Sequence, residues 1–311
     1  MEGYDYRCTS SIGASLFVEH LVTEDDLLKH IDIALYQAKH KGRNALCFFD
    51  EAMQTLLTER STLKLDLRLA LEKDYFELYY QMQINHDHQI MGAEALLRFQ
   101  HPKRGLISPL DFIALAEESG LILPIGQWVL EAACAQLKIW ENMPHMQPLQ
   151  LAVNVSANQF HQPNFVEQVC AVLEKTAIDP TRLKLELTEG VVINDIDDTI
   201  IKMQKLKALG VSFSLDDFGT GYSSLSYLTQ LPFEQLKIDQ SFVRNLGIKQ
   251  TDAVMVQTII SMANSLDMEV IAEGVETKAQ RDFLKQHGCS LYQGYLFSKP
   301  VPLEEFEAIL L

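Results

Sequence analysis

The sequence predicts a modified (β/α)8, TIM-like barrel with an antiparallel first strand, preceded by a small α+β N-terminal fragment. Three observations carry that expectation. From Tyr75 onward strand-like and helix-like runs alternate regularly, as they do where crossover helices join the strands of one sheet. The first two strand-like runs, Phe76 to Ile84 and Ile90 to Arg98, are separated only by Asn85 to Gln89, which is too short for a crossover and reads as a hairpin. Polar residues recur at the last positions of successive strands, which converge on one face of such a barrel.

Residues 1–50 form a small unit: a strand-like run from Tyr6 to Val18, Thr23 as N-cap of a helix from Glu24 to His40, and a short strand from Ala45 to Phe49. Leu27, Leu28, Ile31, Ala34, Leu35 and Ala38 recur at helical spacing along that helix. One helix and two strands bury too little surface to stand alone, so this piece reads as the end of a larger domain. Residues 51–70 follow as a connecting helix, and 71–311 as the barrel. After the hairpin the barrel strands are Leu149 to Asn154, Leu183 to Leu187, Ser212 to Asp216, Gln235 to Ile238, Val270 to Glu273 and Ser290 to Gln293, completing a set of eight. Helical patterns lie between them at Leu110 to Glu118, Trp128 to Trp140, Phe165 to Lys175, Ile196 to Leu209, Ala253 to Leu266 and Lys278 to Gln286.

The strand Ser212 to Asp216 sets the chemistry. Val211, Phe213 and Leu215 alternate with Ser212 and Ser214, the pattern of a strand buried on one face, and the run ends in Asp216-Asp217-Phe218-Gly219-Thr220-Gly221. Strand neighbours point to opposite sides, so Asp216 and Asp217 share a site only where the strand gives way to the loop. Two carboxylates that close repel each other unless a proton or cation lies between them. A turn or capping role for Asp217 accounts for one acid and not both, which favours a metal site.

Composition narrows the choices. The chain has 311 residues, with 26 basic against 42 acidic side chains and a net charge of -16, which argues against a phosphate-gripping nucleic-acid face. Neither a DNA nor an RNA duplex is an expected partner, and a phosphorylated substrate must be met by a local cation. The five cysteines, Cys8, Cys47, Cys134, Cys170 and Cys289, are scattered without a CxxC pair, which fits reduced thiols in the cytoplasm. No signal peptide opens the chain and no apolar run reaches membrane-spanning length, so no membrane contact is expected of the chain itself; it is compatible with a place in a longer, membrane-anchored or sensor-linked protein.

The strand ends read Glu94 and Arg98, Asn154, Glu186, Asp216 and Asp217, Lys237 and Asp239, Glu273, and Gln293. Singly, each has a structural reading: Asn154 satisfies a turn, Glu186 or Glu273 sits on a solvated rim, Lys237 pairs with Asp239. Together they are hard to ascribe to chance, because inward barrel positions otherwise favour Val, Ile and Leu. Oxygen ligands without His or Cys select hard cations, so Mg²⁺ or Mn²⁺ is the expected occupant, and Asp216 bridging two ions roughly 3.5–4 Å apart suits in-line attack on a phosphodiester. His86, His88, His101 and His161, among the nine histidines, show no ligand spacing.

These residues carry a resemblance. From about residue 60 to 311 the chain resembles an EAL-type cyclic di-GMP phosphodiesterase domain, through Glu94-Ala95-Leu96, Asn154-Val155-Ser156, Glu186-Leu187-Thr188-Glu189, Asp216-Asp217-Phe218-Gly219-Thr220-Gly221, Lys237-Ile238-Asp239, Ala272-Glu273-Gly274-Val275-Glu276 and Gln293-Gly294-Tyr295. Residues 1–50, with Ala34-Leu35-Tyr36-Gln37-Ala38-Lys39 and Gly42-Arg43-Asn44, resemble the last portion of a GGDEF domain whose signature loop is absent, which implies a catalytically silent remnant.

The resemblance implies that Glu94, Asn154, Glu186 and Asp216 hold one metal ion and that Asp216, Asp217 and Glu273 hold a second. It implies that Arg98 clamps a substrate phosphate, that Lys237 and Glu273 position and deprotonate the attacking water, and that Gln81 and Gln293 support substrate or water. Glu189 and Glu276 would act from behind these groups, Glu189 steadying the loop Phe218 to Ser224 that couples dimerisation to metal binding. The implied reaction is metal-dependent hydrolysis of cyclic di-GMP to 5′-pGpG, with a homodimer formed through the loop after Asp217. One departure is visible: Met82 follows Gln81 where the family usually has Pro. The alternative is a non-catalytic cyclic di-GMP receptor, which would have no reason to keep the whole acidic set with Lys237.

Overall fold

The computed structural model describes residues 8–17, 22–193, 195–219 and 228–310. The chain divides into two units, Met1–Leu69 and Ala70–Leu311, the boundary falling within the last turn of a helix, α2 (Glu51–Glu72). In the first unit β1 (Ile12–Ala14) and β2 (Leu46–Phe48) pair in parallel, and α1 (Glu24–His40) connects them. Thr23 caps α1 by accepting the Asp26 amide at 3.2 Å. A Cβ at Gly13 would lie 2.3 Å from the Leu35 amide nitrogen, so glycine lets α1 sit directly on the strand. The strand expected from Tyr6 to Val18 shortens to three residues, and Tyr6, Arg7 and Val18 lie outside the described residues.

The second unit is a barrel. Its strands are β3 (Phe76–Asn85), β4 (Ile90–His101), β6 (Gln150–Asn154), β7 (Leu183–Thr188), β8 (Ser212–Phe218), β9 (Gln235–Ile238), β10 (Glu269–Ala272) and β11 (Leu291–Tyr292), while β5 (Gly105–Ile107) attaches only to the end of β4. Around the ring β4 and then β6 through β11 pair in parallel, and β3 closes the circle antiparallel to both β4 and β11. Fold class and hairpin thus agree with the expectation. A three-residue antiparallel strand inside a connection was invisible to periodicity.

The pleat sorts the side chains into two buried sets. On β7, Leu183, Leu185 and Leu187 are buried on one side, while Lys184 and Glu186 are buried on the other, inside the barrel. β8 differs from its expectation of burial on one face: Ser212 and Ser214 are 4% and 0% exposed, because they line the barrel interior. The interior is therefore polar, and the apolar core lies between strands and helices. Tyr80 of β3, Trp140 at the end of α4 (Ile122–Trp140) and Phe306 of the helix Leu303–Leu310 meet with ring centroids 5.6 Å apart. The Trp140 indole donates to Glu307 at 2.9 Å, which satisfies its one polar group.

α4 begins six residues before the expected Trp128, at Ile122. Pro124 falls in the first turn, where its missing N–H costs nothing, and Gly126 leaves room for the Gln159 side chain, whose Oε1 would lie 2.2 Å from a Cβ there. The short helices Ala157–Phe160, Glu189–Ile193 and Gln240–Arg244 have too few turns to leave a periodic signal. Among the described residues no helix is long and apolar enough to cross a membrane, and all five cysteines are free.

Buried Arg182, in the 3₁₀ turn before β7, fixes the entry to that strand. Its Nε, Nη1 and Nη2 donate to the carbonyls of Leu149, Leu137 and Met146 at 3.0, 3.3 and 2.9 Å. Arg182→Met should lower stability by roughly 2–5 kcal/mol, since three buried carbonyls lose a charged donor. Thermal unfolding measures it, and Arg182→Lys should recover only part, because one ammonium cannot span three acceptors.

Candidate active site

The strand ends converge as the barrel topology requires. Glu94 lies on β4, Asn154 ends β6, Glu186 lies on β7, Asp216 and Asp217 on β8, Lys237 on β9, and Glu273 and Gln293 follow β10 and β11 directly. Gln81 enters from β3, opposite Glu94 in the hairpin register. At the centre is Lys237, 1% exposed. Its Nζ lies 2.5 Å from Glu186, 2.7 Å from Glu273, 3.2 Å from Asp216 and 3.7 Å from Glu94. The pairing of Lys237 with Asp239 weighed from sequence is not made; Asp239 caps the helix Gln240–Arg244, accepting the Ser241 amide at 3.0 Å and the Ser241 hydroxyl.

Asp216 and Asp217 reach the same pocket by a backbone irregularity. The β8–β9 register shifts between Leu215 and Phe218, and Asp217 adopts φ 55°, the left-handed region that only Gly, Asn and Asp enter readily. The bulge cancels the alternation that would send Asp217 outward. Asp216, Asp217 and Glu273 each then offer a carboxylate oxygen, all within 4.8 Å of one another.

An amide chain holds the remaining side. Asn154 Nδ2 donates to Glu94 Oε1 at 2.6 Å, and Gln293 Nε2 donates to Glu94 Oε2 at 2.5 Å and to Gln81 Oε1 at 3.1 Å. Gln293 Oε1 accepts from Gln83 Nε2 at 3.0 Å, and Gln81 Nε2 donates to the Ser298 carbonyl at 3.0 Å. Gln83 and Ser298 were missed from sequence; the strand alternation that places Gln81 inward is the signal that finds Gln83. Gly294 permits the tight turn behind Gln293, since a Cβ there would lie 2.3 Å from the backbone of Val275.

Charge crowding sets the protonation. Burial pushes Glu273 up to about 8, with Lys237 opposing and Asp216 and Glu94 adding to it. Burial also drives Glu186 well above the ordinary carboxylate range, against the pull of Lys237. Burial lifts Asp217 to about 6, helped by Asp216 and Asp239. Burial works against the Lys237 ammonium, yet Glu186, Glu273, Glu94 and Asp216 outweigh it and raise Lys237 well above the ordinary lysine range. Burial raises Glu94 too, but Lys237, Gln293 and Asn154 outweigh it and hold Glu94 low. One ammonium cannot offset so many carboxylates, so some of them hold protons, and a divalent cation would relieve the same crowding by displacing those protons. The donor set is all oxygen, and Glu186 Oε1 is buried with no hydrogen-bond partner among the described residues. The residues present fit divalent cations.

Arg98 is half-buried, with its guanidinium 5.2 Å from the Tyr79 ring centroid and Nη1 donating to the Leu97 carbonyl at 2.9 Å. Glu189 accepts the Gly219 amide at 2.7 Å directly beside Phe218, which is buried. The Glu276 side chain is exposed, and its carboxylate makes no hydrogen bond or ion pair among the described residues. Thr220, Gly221 and the rest of the loop to Ser224 lie outside the described residues.

Fold and pocket together define an α/β barrel with a carboxylate-ringed centre at the C-terminal ends of its strands. The EAL domain model matches residues 64–300, and the chain belongs to the EAL domain family. It is 41% identical over 306 residues to the bifunctional diguanylate cyclase/cyclic di-GMP phosphodiesterase MucR of Pseudomonas aeruginosa, covering 98% of this chain and 44% of that protein. It is 39% identical over 297 residues to the cyclic di-GMP phosphodiesterase PdeR of Escherichia coli, covering 96% of this chain and 45% of that protein. The chain thus spans less than half the length of these curated relatives. Among solved structures, the PaMucR phosphodiesterase in complex with c-di-GMP superposes with a TM-score of 0.77 at 43% identity, covering 79% of this chain and 99% of that one. The EAL domain of Mycobacterium smegmatis DcpA gives 0.65 at 34% identity, covering 76% and 96%.

Lys237→Met should destabilise the metal-free protein by roughly 3–5 kcal/mol, because the carboxylates lose their shared counter-charge. A double-mutant cycle with Glu186→Gln, read by urea unfolding in EDTA, should give a coupling of about 1–3 kcal/mol. Additive effects would refute the shared ion pair.

Proposed function

We propose that this chain is a metal-dependent phosphodiesterase that hydrolyses cyclic di-GMP to linear 5′-pGpG. The observation that carries the reading is the convergence in one pocket of Glu94, Asn154, Glu186, Asp216, Asp217, Lys237 and Glu273, a complete hydrolytic set. The names of the matched relatives and the cyclic dinucleotide in the PaMucR structure support the substrate.

Two Mg²⁺ or Mn²⁺ ions are the cofactors that suit this donor set; Glu94, Asn154, Glu186 and Asp216 would hold one, and Asp216, Asp217 and Glu273 the other. When bound, they acidify a water and neutralise charge on the phosphodiester. Arg98 grips the phosphate, its fork already oriented against Tyr79. Lys237, held as the ammonium, positions the attacking water and the Glu273 carboxylate takes its proton; the water oxygen bonds to phosphorus as the P–O3′ bond breaks, and the proton taken by Glu273 passes to the leaving 3′-oxygen. Gln81 and Gln293, joined to Glu94 through the buried amide chain, support substrate or water. Glu189 fixes the loop after Asp217 through Gly219.

We further infer that residues 1–50 are the silent remnant of a GGDEF domain, that the loop after Asp217 serves a homodimer, and that the protein works in the cytoplasm. The extension of the MucR match over the N-terminal unit supports the first inference, and the free cysteines support the last.

Incubation of the purified chain with cyclic di-GMP should yield pGpG with Mg²⁺ or Mn²⁺ and none in EDTA, as read by chromatography. Asp216→Asn, which removes a charge both ions share, should cut turnover at least about a thousandfold. Tight binding of cyclic di-GMP without pGpG would make the chain a receptor instead, with Met82 beside Gln81 the first position to revert to proline.

A further inference from the structure

We propose that the end of the barrel opposite the carboxylate pocket binds a small organic carboxylate, with Lys184 as its counter-ion. A cavity of about 310 Å³ opens there, at the N-terminal ends of the strands, and Gln83, Gln150, Arg182, Lys184 and Glu269 supply its polar wall. Lys184 is the second residue of β7 and shares the inward face with Glu186. It is 5% exposed; among the described residues its ammonium makes no hydrogen bond or close ion pair, and the carboxylates of Glu269, Glu186 and Glu234 act on it only from farther away.

The other nitrogen donors in the wall are committed. Arg182 spends each of its three nitrogens on a backbone carbonyl. Gln150 Nε2 donates to the Thr181 carbonyl at 2.9 Å, Gln83 Nε2 donates to Gln293, and Glu269 Oε2 accepts from Gln235 at 2.9 Å. The Lys184 ammonium alone brings three free donors to the space. A buried cation with unmet donors is costly, and an anion that fits the space removes that cost.

The wall selects the class of anion. Arg182 and Lys184 against Glu269 leave one net positive charge around the space, which matches a monoanion, and Glu269, which already acts on Lys184, disfavours a dianion such as phosphate. Met91, Pro148 and Leu291 complete the lining with an apolar surface, which suits a short hydrocarbon tail behind the carboxylate. The volume equals that of roughly ten waters, enough for a short-chain acid. This site is distinct in position and chemistry from the catalytic pocket, and it stands whether or not the chain turns over cyclic di-GMP.

The test is a titration of the whole chain with butyrate, observed by NMR of methionine methyl groups labelled with ¹³C, with phosphate and chloride at matched ionic strength as comparators. The Met91 methyl should shift and saturate with butyrate, and neither comparator should do the same. Lys184→Leu should weaken butyrate at least about tenfold, a loss of one charged contact, while the other methyl resonances keep their positions. Gln150→Glu adds a carboxylate to the wall and should weaken butyrate to a similar degree, which decides the matter if Lys184→Leu does not fold. A Met91 shift that never saturates, or that survives both substitutions, overturns the site. Saturation by phosphate in preference to butyrate overturns the assigned class.

Discussion

Everything in the catalytic pocket is arranged around the ammonium of Lys237. Four carboxylates from four different strands approach it within 3.7 Å. Without it their mutual repulsion inside a desolvated barrel would be large; with it they still outnumber their counter-charge. Burying these charges carries a desolvation penalty that apolar residues of equal volume would not. The arrangement is a cost borne by the fold for an electrostatic field that binds cations, and the apolar layer between strands and helices has to supply the stability that the interior does not.

How far the sequence reveals this depends on the range of each interaction. The alternation of strands and helices, the hairpin at β3 and β4, and the polar strand ends are local patterns, and they were legible. The matched motifs were legible for the same reason, since each occupies one strand end. The left-handed Asp217 was not: the sequence shows two adjacent acids, and only the shift in pairing with β9 reveals that a bulge turns both to one side. Nor was the central place of Lys237, whose partners lie between 21 and 143 residues away along the chain, as their numbers from Asp216 to Glu94 show. Serine at Ser212 and Ser214 misled in an instructive way. In an isolated sheet such alternation means one wet face, whereas a closed barrel buries both.

The polar interior links the two ends of the barrel. Gln83 touches the lower cavity and donates to Gln293, which in turn donates to Glu94 in the pocket above. Lys184 and Lys237 are both buried inside the same barrel, each on the inward face of its strand. Bonded amides and buried charges here take the place of the branched hydrocarbon layers usual in such barrels. The interior is specified by hydrogen-bond direction rather than by volume, so its members tolerate exchange less readily than the outer core does.

The reversed strand β3 has a consequence for how the barrel is made. Although it is the first barrel strand in the chain, one of its edges pairs with β11, and Tyr80 exchanges backbone hydrogen bonds with Val301. A ribosome adding about 5–20 residues per second needs roughly 10–40 s to pass from β3 to β11, and through that interval the edge has no native partner. Its outer side, including Tyr80, is covered by Phe306 later still. The strand that begins the barrel is therefore the last to be sealed, and its sheet edge stays open until β11 and the segment carrying Val301 have been made.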